Sequence, residues 1–380
     1  MSMKGESSSK QGEEISVFVL VTTFEGDFHG ALFEVKLDRR GQVMGGCGAT
    51  QPPLLDPIAR FFEKDCNIPE FYTFGGVCIC NKLYLLLSSG SDIGPCNDDD
   101  DEITTPKKPD SLNGYIFDIK TRALVKFSPP KASKSSGTVI HAYEKIYFLL
   151  DPFCFPCEPE DSFERYDPIN DSWESLKPFP YSEDWATTKI TGHAVYDGSI
   201  LFSIYGRRQP AVMAYHEKRD YWEPVKVEDF CWSGKALVVG NTMYALSLQP
   251  GEVIAFSVIT DQTDEGHAAF SLGKPLLLSG MEIKFPPNPS RRSQYLAHLG
   301  GLEFCLVQSG FTYKGNYRQP LSITTFRIEE GNNIKILHSA VRDVDIEGFS
   351  GFLVSFCFTH PDPYLNFWTP GRAPTVLRSN

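Results

Sequence analysis

A chain of 380 residues with 41% hydrophobic and 22% charged side chains has the composition of a folded protein with a large core. Its net charge of −12 argues against nucleic-acid binding, which draws on clustered Lys and Arg to displace counterions. No run nears the ~18 apolar residues of a membrane span, and the polar start "MSMKGESSSKQGEE" lacks the apolar stretch of a secretory signal, so neither membrane insertion nor secretion is expected. The expected location is the cytoplasm, with the nucleus as the alternative, and there the 10 cysteines should stay free thiols. Aromatic residues make up 13%, beside 27 prolines and 31 glycines, a balance that favours strands and turns over helices.

In chain order, residues 1–14 form a polar tail expected to be disordered. Three strands follow, "ISVFVLVTT" from Ile15, "GALFEVKLD" from Gly30 and "GQVMGG" from Gly41. A recurring pattern then begins, in which a glycine opens an apolar strand, a short turn follows and a second strand returns. It reads "FGGVCICNKLYLLL" from Phe74, "SGTVIHAYEKIYFLL" from Ser136, "TGHAVYDGSILFSI" from Thr191 and "SGKALVVGNTMYAL" from Ser233. Behind the first three copies stand Phe117, Tyr166 and Tyr215, evenly spaced, each followed seven residues later by a large partner: Leu124, Trp173 and Trp222. Residues 253–277 supply the third and fourth strands of a fifth unit, and residues 294–347 supply a whole sixth. The segment "FSGFLVSFCFTH" (349–360) looks like a first strand with nothing to complete it. Joining it to the three N-terminal strands closes a ring of six four-stranded units and removes a loose edge. Residues 15–363 are assigned to this all-β, six-bladed propeller, and 364–380 to a C-terminal extension.

The Tyr-six-residues-Trp pair behind a glycine-led strand resembles the kelch repeat, whose length is near 50 residues. The likeness runs over residues 15–360, is sharpest in the second to fourth units, and keeps the double glycine at Gly75–Gly76. The chain is similar to propellers of the galactose oxidase/kelch superfamily, and in texture to plant kelch proteins of the F-box-associated kind. With only 14 polar residues ahead of the first strand, no F-box is expected. Plant specifier proteins of this fold use a Glu-x3-Asp-x3-Cys iron motif; here Asp92 and Cys96 fit its second half, but Ser88 stands where Glu is needed. Nor do the ligands of the secreted copper oxidases of this fold find counterparts. No cofactor, no metal and no catalytic residue are assigned.

Residues repeated at one place in every unit, such as Tyr166, Trp173, Tyr215 and Trp222, are expected to fill the space between adjacent sheets rather than bind anything. Function should lie where the units differ, in the connections between second and third strands. These are "SSGSDIGPCNDDDDEITTPKKPDSLNG" (88–114), "DPFCFPCEPEDS" (151–162), "YGRRQP" (205–210) and "SGFTYKGNYRQP" (309–320). They carry the candidate partner-binding residues Arg207, Arg208, Tyr313, Lys314, Tyr317 and Arg318, of the types that most often anchor interfaces. Asp98–Asp101 with Glu102 lacks calcium-loop spacing, and Cys154 with Cys157 lacks the second ligand pair of a zinc site. Thr138, His193 and Lys235 each follow a first-strand glycine and should stand near the channel mouth as candidate ligand residues. The expected function is non-catalytic binding of a protein partner by the loop face. The alternative is an enzyme or small-molecule-binding propeller of plant specialised metabolism, with its pocket around His193 and Lys235.

Overall fold

The computed structural model describes residues 14–23, 30–44, 54–61, 71–89, 112–131, 137–150, 161–180, 188–206, 211–227, 230–249, 251–262, 268–281, 292–310, 318–345 and 352–360. Every named element among them is a strand. The chain opens with β1 (Ile15–Thr23), β2 (Gly30–Leu37), β3 (Leu54–Leu55) and β4 (Pro57–Phe61). Next come β5 (Phe71–Ile79), β6 (Lys82–Ser89), β7 (Leu112–Asp118) and β8 (Leu124–Phe127), then β9 (Gly137–Ala142), β10 (Lys145–Leu150), β11 (Phe163–Asp167) and β12 (Ser172–Ser175). They are followed by β13 (Lys189–Tyr196), β14 (Ser199–Tyr205), β15 (Val212–His216) and β16 (Tyr221–Pro224). β17 (Trp232–Val239), β18 (Thr242–Ser247), β19 (Val253–Gln262), β20 (Ala268–Leu272) and β21 (Leu276–Leu277) continue the pattern. The last are β22 (Arg292–Gly300), β23 (Glu303–Gly310), β24 (Arg318–Glu329), β25 (Asn333–Asp345) and β26 (Phe352–His360).

Consecutive strands pair antiparallel into small sheets, β5 to β8, β9 to β12, and β22 to β25, the last extended by β3. A nine-stranded sheet holds β13 to β16 and β17 to β21, joined by a short parallel contact of β13 with β17. The remaining sheet has the order β26-β1-β2-β4, so the last strand lies beside the first. Its register runs from Ser16 opposite His360 to Thr23 opposite Phe352, the pairing expected between 349–360 and 15–23. First strands touch from unit to unit: β5 with β9, β9 with β13, β13 with β17, β17 with β22, β22 with β26, and β26 with β5. The arrangement is propeller-like.

One strand falls elsewhere than the sequence suggests. The third strand of the N-terminal unit is β4, which pairs with β2 from Gly30 opposite Phe61, and not the segment "GQVMGG". Gly41 takes a φ of 74°, and the Asp38 carboxylate accepts the N–H groups of Arg40 and Gln42, both at 2.8 Å. That tight turn returns the chain for a single bridge, Val43 to Leu37, before it leaves the sheet.

Of the repeated aromatics, Tyr166, Trp173 and Tyr215 are buried between units and Trp222 is half-buried. Tyr166 lies opposite Trp173 and Tyr215 opposite Trp222 across the hairpins of third and fourth strands. Tyr166 and Trp173 share one apolar cluster with Tyr84 and Phe127 of the preceding unit, and Tyr215 shares another with Tyr147 and Phe163. Polar atoms of the same residues do more. The Tyr166 hydroxyl donates to Asp171 Oδ1 (2.7 Å), which also accepts the backbone N–H of Ser128 (3.0 Å), while the Trp173 indole donates to the Ser128 carbonyl (2.7 Å). One unit on, Tyr215 donates to Asp220 Oδ1 (2.9 Å), the Lys177 N–H donates to the same oxygen (3.0 Å), and Trp222 donates to the Lys177 carbonyl (2.9 Å). Each unit thus grips both backbone groups of a residue just past the outer strand of its predecessor. Asp suits the position because it tolerates the left-handed turn conformation, with φ of 46° at Asp171 and 50° at Asp220.

Elsewhere the grip is kept with other parts. Arg122 stands where the aspartate would, also left-handed, and its Nη1 donates to the Ile58 carbonyl in β4 (2.9 Å). The N–H of Leu272 donates to the Lys226 carbonyl (2.9 Å), and that of Ile334 to the Ser279 carbonyl (2.8 Å). Between β25 and the N-terminal unit, β3 pairs with Asp343 and Val344, and Thr325 donates its hydroxyl to the Gly41 carbonyl (2.7 Å).

Asp171→Ala and Asp220→Ala should each lower unfolding stability at neutral pH by about 1–2 kcal/mol, the scale of a charge-assisted hydrogen bond at a half-open site. The Ser128 N–H, and after it the Tyr166 hydroxyl, hold the Asp171 carboxylate below its ordinary range. Its contribution is therefore complete above the unfolded value near pH 4 and is lost as pH falls through the lower folded value. Thermal melts of Asp171→Ala and the parent should differ at pH 7 and converge in acid; identical melts at pH 7 would deny the staple any energetic role. Truncation after Glu347 removes β26, stripping Phe352, Val354 and Phe356 from the clusters they share with β1. Several kcal/mol should be lost, as for large core deletions, with aggregation on mild heating; a truncated chain as heat-resistant as the parent would contradict this.

Candidate functional site

The first strands surround a cavity of about 230 Å³, walled by β5, β9, β13, β17, β22 and β26. Its formation depends on how closely the backbones approach. β13 and β17 run parallel with Gly192 level with Gly234 and His193 level with Lys235. A Cβ on Gly192 would lie 2.6 Å from the Gly234 carbonyl oxygen, a backbone clash no rotamer relieves, so glycine is required there. One on Gly76 would lie 2.5 Å from the Phe356 ring. The glycine-led strands thus let neighbouring units meet at the centre.

The three channel-mouth residues named from the sequence, Thr138, His193 and Lys235, all line this one cavity. The parallel ladder of β13 and β17 sets His193 beside Lys235. Burial, and then the positive charge of Lys235, push the His193 imidazole down to about 3, so it is neutral at physiological pH and offers one donor and one acceptor. Burial pushes the Tyr295 hydroxyl up. Burial, followed by proximity to Cys305, raises the Cys357 thiol well above its ordinary value, and Cys305 itself is pushed up to about 12. Neither thiol is a thiolate nucleophile at neutral pH. Among the described lining residues Lys235 is the cation, and none is a carboxylate.

The loop candidates are a different matter. Arg207, Arg208, Tyr313, Lys314 and Tyr317 lie outside the described residues, as do Cys154, Cys157 and the 98–102 acidic run. Arg318 opens β24, with its backbone in register with Asp345. Among the described residues Cys80, Cys305 and Cys357 are free thiols, and no group of three His, Cys, Asp or Glu could hold a metal ion. No helix among them is long and apolar enough to cross a membrane.

Two features escaped the sequence. Tyr295, Phe356 and Phe358 complete the cavity from β22 and β26, strands whose repeat signature is too weak to align with the glycine-led copies. Ser199 Oγ lies 2.8 Å from His216 Nδ1, and His216 Nε2 lies 2.7 Å from Glu223 Oε1, in the order of a hydrolytic relay. Ser199 has no exposed surface, however, and the His216 ring stacks on Tyr221 with centroids 4.4 Å apart. No substrate carbonyl can reach that hydroxyl, so the chain of bonds ties β14, β15 and β16 together rather than catalysing.

No curated protein matches the sequence. Among solved structures, the chain is similar to one described as the crystal structure of a nidogen/laminin complex, at 9% identity and a TM-score of 0.48, over 90% of this chain and 98% of that one. It is also similar to the structure of YjhT, at 10% identity and a TM-score of 0.39, over 74% of this chain and 96% of the other. Residues 100–334, more than half of the sequence, match the family described as Protein of unknown function (DUF1668), and the chain belongs to that family.

Proposed function

We propose that the chain is a six-bladed kelch-type propeller, closed by β26 beside β1, that acts without catalysis by holding a protein partner on the face where second strands pass to third. Support for six blades comes from the strand grouping, once the nine-stranded sheet is divided at its short parallel contact. Support for a ring comes from the succession of first-strand contacts, which returns from β26 to β5.

One observation carries the binding reading. The residues common to the units are consumed in gripping the unit before, while the ends of the second strands present unsatisfied apolar surface. Tyr205, at the end of β14, is 60% exposed, and Leu248, just past β18, is 43% exposed. Because β13 and β17 are parallel and each pairs antiparallel with its successor, β14 and β18 end on the same side. Tyr205 leads directly into Arg207 and Arg208, and Arg318 begins the strand that follows the corresponding connection of the β22–β25 unit. An exposed tyrosine close in sequence to arginines has the composition common at interface centres.

A chain carrying Arg207→Ala, Arg208→Ala, Tyr317→Ala and Arg318→Ala should melt within roughly 0.5 kcal/mol of the parent, as surface loop changes do. The parent and this variant would be used to capture binding proteins from native extract, and the Kd of the recovered partner measured against both. At least about tenfold weaker binding by the variant is expected. Equal affinities with an intact fold would move the interface off this face.

A further inference from the structure

The central cavity has two unlike halves. β9, β13 and β17 are neighbours and contribute Thr138, Thr191, His193 and Lys235. β22, β26 and β5 are neighbours on the other side and contribute Tyr295, Leu296, Phe356, Phe358 and Val77. Phe356 and Phe358 stack with ring planes 20° apart and centroids 5.7 Å apart, and Phe358 stacks in turn on Phe18 at 5.1 Å. A cation and aromatic side chains thus line the same cavity.

We infer that the cavity is a binding site for a small aromatic monocarboxylate, its carboxylate on Lys235 with hydrogen bonds from His193 and Thr138, and its ring against Phe356, Phe358 and Leu296. Lys235 is exposed where it lines the cavity and has no ion-pair partner among the described residues, so its charge is available to an anion entering there. The neutral His193 imidazole adds a donor without a second positive charge, which suits one carboxylate and not a dianion. Inorganic phosphate would leave excess negative charge against the aromatic half, with no arginine among the lining residues to fork onto it. The volume, about 230 Å³, is below the ~300–1,000 Å³ of sites for drug-sized ligands and fits a single-ring acid. The two proposals rest on different residues, and each can fail without the other.

The test uses the full chain and benzoate as the probe, followed by calorimetry and by thermal shift. Benzoate should bind saturably with one site and raise the melting temperature, while benzamide, its neutral counterpart, and inorganic phosphate should do neither. Lys235→Met should weaken benzoate by about tenfold or more, Lys235→Arg should recover much of the loss, and His193→Gln should weaken it less. The Arg207/Arg208/Tyr317/Arg318 variant should bind benzoate as the parent does, and Lys235→Met should still capture the loop-face partner. Absence of saturable benzoate binding to the parent, equal binding of benzamide, or an unchanged affinity in Lys235→Met would each overturn the assignment. The parent's contrast between benzoate and benzamide stands even where Lys235→Met does not fold.

Discussion

The structure depends on one recurring interaction: a sheet takes hold of the outer backbone of the sheet before it, in most units at a residue just past its last strand. At Ser128 and Lys177 a carboxylate and an indole hold the N–H and the carbonyl of a single residue. That residue has left its own ladder, so its polar groups would otherwise need water at the foot of an apolar interface, where an unpaired group is costly. The same side chains that satisfy it also bury their rings between the sheets. Packing and polar satisfaction are therefore delivered together, and neither sheet could be repositioned without losing both.

This division of labour shapes the rest of the molecule. The outer part of each unit is committed to its neighbour, and at the centre the backbones come close enough that Gly192 cannot bear a side chain. The lining of the central cavity is then set by whichever residue follows the glycine. Thr138, His193 and Lys235 occupy that place in three successive units, which is how a repeated backbone presents a set of different side chains to one small volume.

Legibility in the sequence followed the strength of the repeat. Where the Tyr-to-Trp spacing and the leading glycine are both present, strands and hairpins are legible in the residues, because each is fixed by local turn chemistry, whereas the level of His193 with Lys235 is set by the parallel contact between two units. The N-terminal unit was misread at "GQVMGG" because Val43 and Met44 have strand-forming side chains, while the Asp38 carboxylate and the φ of Gly41 turn the chain too sharply for a ladder. The apolar half of the cavity was illegible for a different reason. Tyr295, Phe356 and Phe358 read as ordinary core residues, and only the meeting of β22 and β26 with β5 places them at the centre. Asp171 and Asp220 sit at left-handed turn positions, and their second role, across the interface, depends on a partner 43 residues away in sequence.

The pairing of β26 with β1 has a consequence for how the protein is made. Thr22 and Ser355 share a hydrogen bond of 2.7 Å across 333 positions of sequence. At ribosomal speeds of roughly 5–20 residues per second, the first strand to emerge waits on the order of tens of seconds for its neighbour to be synthesised. Through that interval the edge of β1 that β26 will cover is an open template, and its apolar residues, among them Val17, Val19 and Val21, are still without part of their final cover. Chaperone protection of the nascent N-terminal sheet is thus a demand written into the topology, independent of whatever the finished protein binds.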